Sequence, residues 1–290
     1  MTLRIDAHHH LWRYSEEEYG WITRNMAAIA RDFLPEDLEQ VLSSSGMDGS
    51  IAVQARQSLE ETQSLLDFAE HFDVIQGVVG WAPIALPEFP AVLDRFRHFQ
   101  KLKGFRHVVQ DEPDDAFLLR PDFNRGITLL KQYGFVYDIL IFERQLPAAI
   151  SFVDRHPAQV FVLDHIGKPR IRERALEPWR AYIRELARRD NVFCKLSGMV
   201  TEADWAEWGL GDLQPYFDVV LDAFGPERLM AGSDWPVCLL AATHQKWFST
   251  LRELISPLSV SEQEMILGGV ATHVYSLSGQ DAGTPKPCEL

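Results

Sequence analysis

Eight short apolar runs recur along this chain, and each is followed by a stretch whose apolar residues fall at helical spacing. The runs are Leu3–Ala7, Gly49–Gln54, Val74–Trp81, Leu102–His107, Phe135–Leu140, Gln159–His165, Val192–Ser197 and Leu229–Ser233. Near-continuous Val, Ile, Leu and Phe marks strands buried on both faces, the condition of a parallel sheet. The helical stretches are Pro35–Ser45, Glu60–Phe72, Pro87–Phe99, Pro121–Tyr133, Gln145–His156, Pro178–Arg189, Gln214–Phe224, Thr243–Ile255 and Ser261–Leu277. Proline suits the first turn of the first of them, and Gly46 stops it. Strict alternation of strand and helix predicts an α/β protein with a parallel sheet. An open doubly wound sheet would place a glycine-rich phosphate turn after its first strand. Here the first strand runs into His8-His9-His10 instead. The expectation is therefore a single-domain (β/α)8 TIM barrel over residues 1–277, close to the roughly 250 residues such a barrel needs. Ser278–Leu290, with two glycines and two prolines, reads as a poorly ordered tail.

The formal net charge of −14 excludes most nucleic-acid and anionic-membrane roles, because an acidic surface repels phosphate. Three cysteines, Cys194, Cys238 and Cys288, offer no disulfide framework and fit a reducing compartment. No apolar run approaches the ~20 residues of a membrane helix, and no signal sequence opens the chain, so a cytoplasmic location is expected. No coiled-coil pattern indicates an oligomeric state.

In a barrel of this kind the chemistry sits where strands end. The first run ends in His8-His9-His10, and alternation along a strand points His8 and His10 the same way. The sixth ends in Asp164-His165 before Ile166-Gly167-Lys168-Pro169, and the eighth leads into Gly232-Ser233-Asp234-Trp235-Pro236. Each motif has a plain alternative: a loop histidine, or an aspartate capping a helix. Together, His8, His10, His165 and Asp234 offer three imidazoles and a carboxylate, a set that suits one Zn²⁺ or similar divalent ion with a place left for water or substrate.

Ile5-Asp6-Ala7-His8-His9-His10-Leu11-Trp12 resembles the D-x-H-x-H opening of the amidohydrolase superfamily. Asp164-His165-Ile166-Gly167-Lys168-Pro169 and Gly232-Ser233-Asp234-Trp235-Pro236 are similar to later motifs of its amidohydrolase 2 branch. Leu102-Lys103-Gly104-Phe105-Arg106-His107 and Cys194-Lys195-Leu196-Ser197-Gly198 resemble the lactonase group within that branch. The resemblance covers the chain to residue 277. It implies that His8, His10 and His165 bind a metal or the substrate carbonyl, and that Asp234 is the general base. No strand-four bridging residue is evident, and Lys103 lies too early in its run to be one, so a single metal, or none, is implied rather than two.

The implied reaction is the opening of a sugar lactone such as L-fuconolactone by water that Asp234 activates. No G-x-S-x-G elbow supports a serine nucleophile. Gln54, Trp81, Arg106, His107, Trp12 and Trp235 flank the strand ends and are expected to line the substrate pocket. Cations near those ends are few, with Arg56, Lys168 and Lys195 besides Arg106, which favours a neutral polyhydroxy lactone over a pyrone dicarboxylate. The competing readings are a metal-dependent decarboxylase of an aromatic or muconate-type acid, a pyrone or muconolactone hydrolase, and a barrel that only binds a ligand.

Overall fold

The computed structural model describes residues 3–277 of the 290; the expected tail at 278–290 lies outside them. Eight parallel strands alternate with helices: β1 Ile5–His9, α1 Pro35–Ser45, β2 Gly49–Val53, α2 Leu59–His71, β3 Ile75–Gly80, α3 Phe89–Phe96, β4 Leu102–Val108, α4 Pro121–Gln132, β5 Val136–Leu140, α5 Leu146–Arg155, β6 Phe161–Leu163, α6 Trp179–Leu186 and β7 Val192–Leu196. A short α7, Met199–Glu202, and a long α8, Leu210–Phe224, precede β8, Leu229–Ala231. Then come α9, His244–Ile255, α10, Val260–Glu264, and α11, Val270–Val274. The strands pair in chain order from β1 to β8. The ring is closed just past β8, where Asp234 N donates to His8 O at 2.8 Å and His10 N donates to Trp235 O at 2.6 Å. This is the (β/α)8 barrel. No helix among the described residues is long and apolar enough to cross a membrane.

The lower barrel is filled by Ile5, Ala7, Ile51, Val79 and Val162, sealed from below by Val270, Val274 and Tyr275. Each fully buried side chain of this size contributes about 1.5–3 kcal/mol. The expected helix Ser261–Leu277 is broken into α10, a wide turn at Met265–Gly269, and α11. Gly268 is the reason: a Cβ there would lie 1.8 Å from Leu3 O, so only glycine lets the chain pass this close beneath β1.

Two departures from regular strands place the polar groups. Between Asp6 and His9 the β1–β2 register slips by one residue, since Asp6 pairs with Ser50 but His9 pairs with Ala52. Ile5 and Ala7 face the barrel core, so strict alternation from them would send His9 inward. The extra residue transfers the inward position to His8 and His10, as bulges do at barrel rims. The sixth strand is shorter than the expected Gln159–His165. It stops at Leu163, and Asp164–Gly167 forms a tight turn in which His165 (φ +53°) and Ile166 (φ +49°) are left-handed. Asp234 is left-handed as well, at φ +59°. Such backbone costs non-glycine residues about 1–3 kcal/mol and survives only where the surroundings fix it.

Candidate active site

The structure brings His8, His10, His165 and Asp234 together at the C-terminal mouth of the barrel. His8 Nε2 and His10 Nε2 stand 3.3 Å apart, and each faces Asp234 Oδ1, at 3.8 and 3.3 Å. His165 Nε2 lies 4.0 Å from the same oxygen. All four residues are buried.

His10 Nδ1 sits 2.8 Å from Val53 O, which can only accept, so Nδ1 carries a proton and Nε2 is the nitrogen left to meet a metal. Two imidazole nitrogens and a carboxylate oxygen 3.3 to 3.8 Å from one another come close to the ligand spacing around a tetrahedral ion with bonds of about 2.0–2.1 Å. His8, His10 and Asp234 therefore fit one divalent metal, with His165 beside it. His8 Nε2 is also 3.2 Å from an Arg106 N–H, so a metal on His8 would share that nitrogen with the guanidinium.

Burial alone would push the Asp234 carboxyl up, but the surrounding His165, His10 and His8 outweigh it and hold the acid far below the ordinary carboxylate range. Burial pulls His165 down to about 4 against the opposing pull of Asp234 and Asp164, so its ring is neutral at pH 7. His8 is also held well below its ordinary value, by burial and by neighbouring Lys195. The site thus presents an ionised carboxylate beside the neutral imidazoles of His8 and His165.

Above this cluster opens a cleft of about 390 Å³. Its floor is His10, His165, Asp234 and Arg106. Its walls come from the loops after β1 (Glu18, Trp21), β2 (Arg56, Gln57), β4 (Gln110, Asp111) and β6 (Lys168). Every cation in it is committed. Arg106 donates to Asp164 at 2.9 Å and to Gln54, Arg56 pairs with Glu18, and Lys168 lies 3.9 Å from Glu202.

Five of the six expected pocket residues stand off the cleft wall. Alternation in β4 turns Arg106 inward and His107 outward, where it meets Glu112 at 2.6 Å and stacks on Phe117. Gln54 is fully buried beneath the floor, holding Arg106. Trp12 donates to Arg31 O and packs edge-on with Phe33, and Trp235 also packs edge-on with Phe33. Trp81 follows β3, its backbone tied on both sides to Thr62 Oγ1. Motif proximity misled here, because a large aromatic beside a site also fills the gap behind it. Trp21, 36% exposed and set edge-on against Trp12 at 5.7 Å, is the aromatic that does reach the cleft. The signal was available in the sequence, since the β1–α1 connection is far longer than the usual few residues and long loops carry function.

Residues 5–277 match the amidohydrolase family, and the chain belongs to it. It is 46% identical over 287 residues to the L-fucono-1,5-lactonase of Burkholderia multivorans, covering 95% of this chain and 97% of that one. It is 35% identical to the L-fucono-1,5-lactonase of Burkholderia ambifaria, over 96% and 97%. A crystal structure of a zinc-bound amidohydrolase from Burkholderia multivorans superposes with a TM-score of 0.92 at 46% identity, covering 95% of this chain and all of that one.

Proposed function

We propose that this chain hydrolyses a neutral sugar lactone of the L-fucono-1,5-lactone type to its hydroxy acid, with Asp234 as general base and zinc as the ion suited to His8, His10 and Asp234. The observation that carries the reading is the cleft itself: an ionised, buried carboxylate at its floor, and walls whose cations are all already paired. A dicarboxylate needs uncommitted cations; a polyhydroxy ring needs hydrogen-bonding groups and an aromatic face, which Gln57, Gln110, Asp111 and Trp21 offer.

Lactone opening needs an activated water, stabilisation of the carbonyl oxygen, and a proton for the departing ring oxygen. Asp234 takes the proton from water as it attacks the carbonyl carbon. Negative charge develops on the carbonyl oxygen, and the positive charge of Arg106 in the cleft floor, fixed by Asp164 and Gln54, opposes it through space without donating to it. Collapse breaks the ring C–O bond, and protonated Asp234 returns its proton to the alkoxide. A divalent metal, when bound, adds Lewis-acid polarisation and a lower pKa for water at the same point.

A pH-indicator assay across fresh sugar lactones and 2-pyrone-4,6-dicarboxylate tests this, with elemental analysis of the protein. Fastest acid release from a 6-deoxyhexono-1,5-lactone, with zinc near one equivalent, is expected. Faster turnover of the dicarboxylate rejects the neutral-lactone reading. Turnover of no lactone by a metal-loaded protein points instead to decarboxylation.

A further inference from the structure

Beneath His8 the barrel holds a file of buried polar groups that the reaction above leaves unused. Tyr275 donates its hydroxyl to Asp138 at 2.9 Å. Asp138 Oδ2 lies 2.5 Å from Lys195 Nζ, and Nζ lies 3.1 Å from Asp164 Oδ1. Asp164 Oδ1 in turn lies 3.3 Å from His8 Nδ1. None of these five residues is more than 1% exposed. Buried ion pairs are seldom more stabilising than apolar packing of the same volume, and apolar packing fills the barrel directly below. Stability alone therefore does not account for this layer.

Its geometry does define the proton position on His8. Arg106 brings an N–H to within 3.2 Å of His8 Nε2 and another to within 2.9 Å of Asp164 Oδ2. A proton on Nε2 would set two donors against each other. A proton on Nδ1 gives Asp164 Oδ1 a donor and leaves Nε2 to accept from Arg106 or to face a cation. Among the described residues, the acceptor facing Nδ1 is Asp164 Oδ1, and the ammonium of Lys195 holds that carboxylate ionised and in place. Lys195 is held in turn by Asp138, and Asp138 by Tyr275. Lys195 Nζ also lies 3.4 Å from His8 Nδ1, so loss of Asp164's alignment would leave the ammonium facing that nitrogen and favour the opposite tautomer.

We propose that Lys195, Asp138 and Tyr275 are positioning residues that act through Asp164 to fix His8 as its Nδ1–H tautomer, aiming a bare Nε2 at His10 and Asp234. The metal-binding role of His8 requires that nitrogen bare; polarising a carbonyl oxygen directly would require the proton there instead. The kinetic part of the test rests on the lactone reading; the tautomer part does not.

The experiment is long-range ¹H–¹⁵N NMR of histidine-labelled protein, with His8 assigned from its loss in His8→Gln, alongside steady-state kinetics. Wild type is expected to carry its proton on Nδ1. In Asp138→Asn, which frees the Lys195 ammonium to turn onto His8 Nδ1, His8 is expected to populate Nε2–H. That variant is also expected to lose about tenfold to a hundredfold in kcat, and in zinc affinity measured by direct titration, with KM essentially unchanged. Tyr275→Phe keeps both charges and is the folding safeguard; it should show the same tautomer change to a smaller extent. A wild-type His8 protonated on Nε2 overturns the proposal. So does a folded variant pair with an unchanged His8 spectrum. If wild type turns over no lactone, the NMR and zinc titration decide the proposal on their own.

Discussion

Substituting Gly198 by alanine isolates the placement of His165. Gly198 follows β7 with φ +65°, and a Cβ there would stand 2.6 Å from His165 Nδ1, 2.7 Å from Cγ and 2.8 Å from Cβ. Comfortable contact is about 3.5 Å, so His165 must retreat by roughly 0.7–0.9 Å. Ring rotation cannot relieve the overlap, because His165 Cβ is among the crowded atoms. The retreat breaks the 2.9 Å contact between His165 Nδ1 and Ser197 Oγ. Left-handed backbone costs alanine about 1–2 kcal/mol, and the lost hydrogen bond about 1 kcal/mol more. The sum of about 2–3 kcal/mol lowers Tm by roughly 4–12 °C at the 2–4 °C per kcal/mol usual for chains approaching this size. The catalytic effect is of similar size in free energy, since a displacement near 1 Å at a reacting centre costs about 100-fold, or about 2.7 kcal/mol. Thermal unfolding and kcat/KM on the same Gly198→Ala preparation separate the two. A protein with the expected drop in Tm but kcat/KM close to wild type would refute the claim that the position of His165 matters to the chemistry.

Three further outcomes follow from the geometry. Trp21→Ala should raise KM for the lactone by about 10-fold, as expected for loss of an aromatic contact near 1.5 kcal/mol, and leave kcat alone; a fall in kcat at constant KM would contradict its role as a binding wall. Arg106→Met leaves Asp164 buried with one partner fewer and should cost about 3–5 kcal/mol in denaturant unfolding, whereas a loss below about 1 kcal/mol would show the pair to be dispensable. Glu61 is raised from 4.5 to about 7 by burial, which its two backbone N–H donors only partly offset. Between those pH values the folded chain keeps a proton that the unfolded chain has lost, so stability falls as pH rises through the window, by about 3 kcal/mol once pH passes 7. Glu61→Gln removes that titration, and its Tm difference between pH 5 and pH 8 should be smaller than wild type's; equal differences would contradict the assignment.

The barrel was legible because its signal is redundant: eight apolar runs and the helices between them all imply a parallel sheet, and errors of a residue or two at each end change nothing. His8, His10, His165 and Asp234 were legible because strand ends are where polar residues interrupt apolar runs. Alternation also suggested that His8 and His10 share a face, yet the reason they face inward is the extra residue between Asp6 and His9, which no periodicity reveals. The left-handed turns at His165 and Asp234 were equally hidden, since neither residue is glycine. The cleft walls were the least legible part. Trp21, Gln57 and Gln110 lie in loops whose path depends on tertiary contacts such as the Arg56–Glu18 pair. Gln54 and Arg106 were expected to line the pocket, but their mutual bonding makes Gln54 a support beneath the floor and Arg106 a fixed charge within it.

The most direct test of the account is acid release from L-fucono-1,5-lactone by wild type and by Asp234→Asn, with both shown to be folded to the same Tm within a few degrees. The account predicts saturable hydrolysis by wild type and a loss of about 10²–10⁴-fold in kcat on replacing the carboxylate, the range for removal of a general base. An Asp234→Asn protein that still opens the lactone at a rate near wild type would contradict it.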